Sequence, residues 1–319
     1  MTYRFKKFLS EVSFRANARN LTFIFILFFF FKSFASVILI PMDDEGQKNH
    51  LKAYGITYWV LSKQQKVQWL LNYRGGSFLL PDGEAIRKEC QIRGVSFEVL
   101  SDGQAAQILD DISSPSQNQD AVILEKAPKI AVYSPKGNQP WDDAVTMVLT
   151  YAEIPYTTIY DTEVLGDKLA LYDWLHLHHE DFTGQYGRFY GHYRAAPWYI
   201  EDKANAEALA QSLGYSKVSD EKLAVALKIR NYVIGGGFMF AMCSATDSFD
   251  IALAAEGVDI CEPMFDGDPS DANYQSKLDF SNTFAFTNFT LERNPIRYEF
   301  SSIDMTNKRA NVPKESDYF

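Results

Sequence analysis

Cys243 stands between an apolar run, Phe238-Met239-Phe240-Ala241-Met242, and a stretch with helical spacing from Thr246 to Glu256. A cysteine at a strand-to-helix corner can act as a nucleophile. The positive end of the helix dipole points at the thiol and favours thiolate, and the backbone N–H of Ser244 would lie where an oxyanion needs a donor. Such a corner is sharp, so the residues two positions away must be small. Ala241 and Ala245 meet that requirement. The competing reading is a buried core cysteine, one of the commonest uses of the residue.

A second chemical stretch is His176-Leu177-His178-His179-Glu180-Asp181, which holds three of the five histidines. On a strand His176 and His178 share a face and His179 points away. His178 or His179 could serve as a general base with Glu180 as its orienter. His176, His178 and Glu180 could instead hold zinc, and the plain alternative is a hydrogen-bonded polar strand end. If both stretches belong to one parallel sheet, this strand end and Cys243 emerge on the same rim.

Further along, Asp266, Asp268 and Asp271 surround Gly267 and could bind calcium through oxygen, although the spacing is not that of an EF-hand. Tyr73-Arg74-Gly75-Gly76-Ser77 and Gly235-Gly236-Gly237 lack the phosphate-loop patterns and read as tight turns. Tyr186, Phe189, Tyr190, Tyr193, Trp198 and Tyr199, with Arg188 and Arg194, could line a sugar or peptide groove or pack as a cover over the strand end.

The elements that must position these residues fit a chain of 319 residues, 46% hydrophobic, with a net charge of −10. That apolar content suffices for packed cores. An acidic surface repels phosphate, so nucleic acid is not an expected partner. Basic residues precede an apolar run, Leu21 to Phe31, followed by Ser33-Phe34-Ala35. This is the layout of a signal peptide cleaved after Ala35, too short to span a bilayer. The expected location is therefore periplasmic or secreted, with no stable membrane insertion after cleavage. Cys90, Cys243 and Cys261 are an odd set, so at least one thiol is free or pairs with another chain.

Residues 36–119 read as a small α/β domain, with a strand at Tyr58 to Leu61, helices at Glu84 to Arg93 and Gln104 to Ile112, and a polar linker from Ser113 to Gln119. Residues 120–319 alternate strand and helix: Lys129 to Tyr133, a helix capped by Asp142, Tyr156 to Tyr160, Trp174 to His178, helices at Lys203 to Leu213 and Asp220 to Val233, Phe238 to Met242, and Thr246 to Glu256. That alternation predicts a parallel sheet covered on both faces. Asn282 to Phe289 and Ile296 to Phe300 read as strands, and no closing helix comes after them, which suggests a reading frame truncated at its C-terminus.

The strand–Cys243–helix corner, reached after this alternation, resembles the class I glutamine amidotransferase-like fold, a flavodoxin-like parallel sheet, over roughly Lys129 to Cys261. The stretches LLNYRGGSF, KIAVYSP, YDWLHLHHEDFTGQYGRFY and FAMCSATDSFDIALAAEGVDICE also resemble exported bacterial proteins labelled asparagine synthetase B. That label implies ATP, aspartate and glutamine. A glutamine-using synthetase would also have an N-terminal cysteine and a Ser-Gly-Gly-x-Asp-Ser loop. Here Met1 is followed by Thr2 and the loop is absent. In the amidotransferase family a His-x-Glu comes after the nucleophile, whereas no histidine occurs after His192. A missing C-terminus could supply it, His178 and Glu180 could substitute, or the domain is not catalytic.

The expectation is an exported Cys-dependent amide hydrolase, with Cys243 as nucleophile, His178 or His179 as base, Glu180 as orienter and the Ser244 N–H as oxyanion donor. No organic cofactor is expected. A non-catalytic module binding a sugar, a peptide or another small molecule is the alternative, and a metal-dependent hydrolase the third reading.

Overall fold

The computed structural model describes residues 36–135 and 144–303. The chain divides into two compact units, one ending at Ala127 and one beginning at Pro128.

The first unit is a five-stranded antiparallel sheet with helices on both faces. Its strands are β1 (Ser36–Ile40), β2 (Val67–Leu71), β3 (Phe78–Pro81), β4 (Glu98–Ser101) and β5 (Asp120–Leu124), in the order β4-β1-β3-β2-β5. Helices α1 (His50–Ser62) and α2 (Glu84–Arg93) cover one face, where Ile38, Ile40, Ile56, Val60 and Cys90 are buried together. Helix α3 (Asp102–Ile112) covers the other, over Leu39, Leu70 and Leu79.

Two expectations are corrected by this unit. Tyr58 to Leu61 is helical, being the last part of α1. The helix starts at Asn49, whose side chain accepts from the Lys52 N–H, and it buries Ala53, Ile56, Thr57, Val60 and Leu61 at i, i+3, i+4, i+7 and i+8. That stripe outweighs the strand-like local run Tyr-Trp-Val-Leu. The polar stretch 113–119 is not the boundary between units, because the chain beyond it returns as β5 and pairs along β2. Gly75 makes the turn between β2 and β3: its φ is +77° and a Cβ there would lie 2.3 Å from the Met42 carbonyl oxygen, so only glycine fits.

The second unit is built on a four-stranded parallel sheet of β6 (Ile130–Tyr133), β7 (Tyr156–Ile159), β8 (Trp174–Leu177) and β9 (Phe238–Ala241), in the order β7-β6-β8-β9. The crossovers carry α4 (Ala144–Ala152), α5 (Asp161–Leu165), α6 (Pro197–Ser212) and α7 (Val218–Ile234), and α8 (Ser244–Ala254) comes after β9. Ala131, Tyr133, Leu175, Leu177, Ile229 and Phe249 form its core. Winding runs from β6 to β7 on one side and returns to β8 on the other, so the carboxyl ends of β6 and β8 flank the point of reversal. β9 lies at the sheet's edge, and Phe238 and Phe240 are exposed there.

The chain after α8 does not form the two strands expected of it. Leu291 and Ser301 make an isolated antiparallel bridge, and the rest of residues 283–303 is bends, short turns and irregular backbone. It is fastened by Asp250 of α8, a buried carboxylate that accepts the backbone N–H groups of Phe284, Ala285 and Phe286, each at 2.8 Å. Backbone donors satisfied by a side chain need no ladder partner, which is why β-prone residues stay irregular in this segment. Phe289, Leu291 and Phe300 then pack on Ile251 and Ala254.

The apolar run Leu21 to Phe31 and the Asp142 cap lie outside the described residues. Among the described residues no helix is long and apolar enough to cross a membrane.

Candidate active site

Cys243 directly precedes α8, two residues beyond the end of β9, with φ 52° and ψ −138°. A non-glycine residue rarely adopts that conformation, which costs of order 1–3 kcal/mol. The thiol is exposed and free. The flanks are as the corner demands. Ala245 is fully buried in the core, and Ala241, partly buried, packs against the same cluster. Ser244 opens α8, where a first-turn N–H has no intrahelical acceptor. None of the backbone hydrogen bonds outside the helices and strands uses its N–H among the described residues.

The histidine stretch leaves the sheet beside this corner. Leu177 of β8 is in register with Ala241 of β9, and the Met242 N–H donates to the Leu177 carbonyl at 3.0 Å. In the first turn of α8, the Ala245 N–H donates to the His178 carbonyl, again at 3.0 Å. On the next turn the Ser248 hydroxyl donates to the Glu180 carbonyl at 2.8 Å. Hydrogen bonds to the carbonyls of His178 and Glu180 thus hold this stretch along the first turns of the helix that follows Cys243.

The rings of His176 and His178 lie side by side, with centroids 6.0 Å apart. His176 is fully buried, stacked on Phe240 with ring centroids 5.9 Å apart. β8 ends at Leu177, so strand alternation no longer governs residues 178–180. The rings of His178 and His179 lie 3.6 Å apart instead of pointing oppositely. Among the described residues, the group whose ligand atoms lie within 4.8 Å of one another is Asp259, Cys261 and Asp266, not His176, His178 and Glu180.

A lysine stands among those carboxylates. Lys217 Nζ lies 2.7 Å from Asp259, 3.1 Å from Asp266 and 2.6 Å from Asp268. Asp271 turns elsewhere, to Lys277 at 2.7 Å and to the Asp259 N–H at 3.1 Å. The trio Asp266, Asp268 and Asp271 therefore does not converge as expected for calcium. Cys261 donates to the Thr183 carbonyl at 3.2 Å, and burial pushes its thiol well above the ordinary range. A cavity of about 560 Å³ lies nearby, lined in part by Thr183, Ser219, Asp220, Asp259 and Asp271, and does not reach Cys243 or His178.

Side-chain hydrogen bonds brace the loop after Glu180. Asp181 accepts from the N–H groups of Thr183 at 2.7 Å and Gly187 at 2.9 Å. Arg188 is 1% exposed and donates to Gln185 at 2.5 Å and to the Asn294 carbonyl at 2.7 Å. Arg188 is thus an internal strut instead of a ligand-facing cation. The neighbouring aromatics divide in two. Tyr199 is buried, while Tyr193, Trp198 and Tyr298 are exposed around Phe189, whose ring centroid lies 5.3–5.9 Å from theirs.

Sequence reasoning missed the polar cluster beneath the rim. Lys222 of α7 is buried and donates to Asp161 at 2.7 Å, to Tyr160 at 3.0 Å and to Tyr133 at 3.1 Å. Tyr133 donates to the other Asp161 oxygen. One signal was legible: Lys222 falls on the apolar stripe of α7 with Val218, Val225 and Ile229.

The site thus belongs to a unit of parallel-sheet α/β architecture with a strained, exposed cysteine at a strand-to-helix corner. Comparison with protein-family models, with curated proteins and with solved structures gave no match.

Proposed function

We propose that the second unit is a class I glutamine amidotransferase-like hydrolase that uses Cys243 to cleave an amide. The observation that carries this reading is the backbone of Cys243, φ 52° and ψ −138°, on an exposed thiol at a strand-to-helix corner. A strained, solvent-facing cysteine has no packing role to justify its cost. The strand order, counted from β6, is 2-1-3-4, the start of a flavodoxin-like sheet, which supports the same assignment.

In this mechanism the base takes the Cys243 thiol proton, the thiolate attacks the amide carbon, and the carbonyl electron pair moves onto oxygen, to which the Ser244 N–H donates a hydrogen bond. Collapse breaks the C–N bond, and the amine leaves with a proton from the base. His178 or His179 fills that role, with Glu180 as its orienter. Water activated by the same base then cleaves the thioester and restores the thiol. Neither ATP nor a metal enters these steps. Export to the periplasm or beyond, through the leader of residues 1–35, sets an extracytoplasmic amide as the substrate.

The test is iodoacetamide labelling of each cysteine at pH 7. Faster labelling of Cys243 than of a free thiol, lost in His178→Ala or His179→Ala, supports hydrolysis and justifies a screen of amides. Labelling of Cys243 at the rate of a free thiol in all three proteins refutes it.

The exposed aromatics Tyr193, Trp198 and Tyr298 favour a second reading, a binding module that stacks a sugar or an aromatic peptide side chain. Sugar and peptide titrations monitored by tryptophan fluorescence test it, and an unchanged signal from Trp198 rejects it.

A further inference from the structure

The cavity of about 560 Å³ in the second unit reaches neither Cys243 nor His178, and it takes no part in the steps proposed for them. Its volume falls within the range of about 300–1,000 Å³ usual for small-molecule sites. Four segments meet around it: the loop after Glu180, the start of α7, the end of α8 with the turn beyond, and residues 269–272.

One side of the cavity is apolar. Phe182, Ala252 and Ala255 are each at most 5% exposed, and Leu223 and Val258 continue that wall. The other side is acidic. Asp220, Asp259 and Asp271 line it, and no Lys, Arg or His does among the described residues. The Asp259 N–H donates to the Asp271 carboxylate at 3.1 Å, which sets those two residues side by side.

Neighbouring ammonium groups do not cancel this charge. Lys217 is shared by three carboxylates, Asp259, Asp266 and Asp268, and Lys277 reaches Asp271. Asp220 is exposed in the first turn of α7 and pairs with no cation among the described residues. A helix favours an anion at its amino end, but here that end is covered. Gly184, with φ +78°, packs so closely that a Cβ on it would stand 2.7 Å from both the N and the Cα of Ser219. An anionic ligand would therefore meet three carboxylates and no cation, whereas a cation is attracted by each of them.

We propose that this cavity binds an organic cation, a primary amine on a small apolar body, with the ammonium toward the three carboxylates and the body against Phe182, Leu223 and Val258. Burial of the body supplies affinity, and the carboxylates select the charge.

The probe is phenethylamine, with 2-phenylethanol as its neutral counterpart and phenylacetate as its anionic one. Each is titrated into the ¹⁵N-labelled full chain, and assigned backbone amides are followed by NMR. The amine should give saturable shifts at residues 182–183, 219–220, 255–260 and 270–272. The alcohol should bind about fivefold more weakly or worse, and phenylacetate should leave these amides unmoved. Asp220→Lys changes an exposed position and keeps the apolar wall. It should weaken the amine about fivefold or more and leave the alcohol unchanged. Amine binding weaker than about 10 mM, or shifts confined to other residues, overturns the proposal on the wild-type protein alone. Equal affinity for amine and alcohol, or unchanged amine affinity in folded Asp220→Lys, overturns it as well.

Discussion

The Ala245 N–H donates to the His178 carbonyl over 3.0 Å, which couples the first turn of the helix behind Cys243 to the backbone that carries the candidate base. The bond makes the two stretches one backbone unit: α8 cannot shift along its axis without moving residue 178. A base and a nucleophile held this way keep their relation without a side-chain contact to set it.

The three thiols differ in access, which gives the first prediction. Cys90 and Cys261 are buried, and burial pushes Cys90 up to about 11. Native protein treated with iodoacetamide should carry label on Cys243 alone, with the other two slower by about a hundredfold or more because they wait for local unfolding. Peptide mass mapping over time reads this directly. Comparable early labelling of Cys261 would show that the segment after α8 is not closed in solution.

Backbone strain at Cys243 predicts an unusual stability gain. Cys243→Gly removes the Cβ that makes φ 52° unfavourable and should stabilise the protein by about 1 kcal/mol, while Cys243→Ala should not. A shift in the urea midpoint of the glycine variant alone confirms the strained corner; equal midpoints for the two variants remove it.

Removing the ammonium from the buried cluster should be severe. Lys222→Met leaves Asp161 without its cation, and breaking a buried pair in this way costs about 3–5 kcal/mol. Urea unfolding at pH 7 measures it. A loss below about 1 kcal/mol would mean that water reaches the cluster.

Asp250 should govern the order of the segment it fastens. Asp250→Ala frees three backbone N–H groups, each costing about 1–3 kcal/mol if left buried and unpaired. Residues 278–303 should then exchange amide hydrogens faster and be cut first by protease. Unchanged protection in mass-spectrometric hydrogen exchange would assign the fastening to Phe289 and Phe300 instead.

The sequence by itself determined the alternation of strands and helices in the second unit, because periodicity and end signals are local. β6, β7, β8 and β9 and the helices α7 and α8 lie within a few residues of where the pattern puts them, whereas α6 starts at Pro197, six residues before Lys203, and the short α5 was not legible. It also determined the corner at Cys243, since the small flanks Ala241 and Ala245 are visible in the text. Tertiary structure decided whatever depends on partners distant in the chain. Tyr58 to Leu61 became helix because the burial stripe of α1 faces the antiparallel sheet. Asn282 to Phe289 stayed irregular because a carboxylate on α8 took its donors. β8 ended before His178 and Phe240 covered His176, so one ring is buried in the sheet while its neighbour, 6.0 Å away, lies beyond the strand. The buried pair of Lys222 with Asp161 joins residues that meet only in the fold, since the energy of a charge depends on which groups surround it and local sequence does not record that.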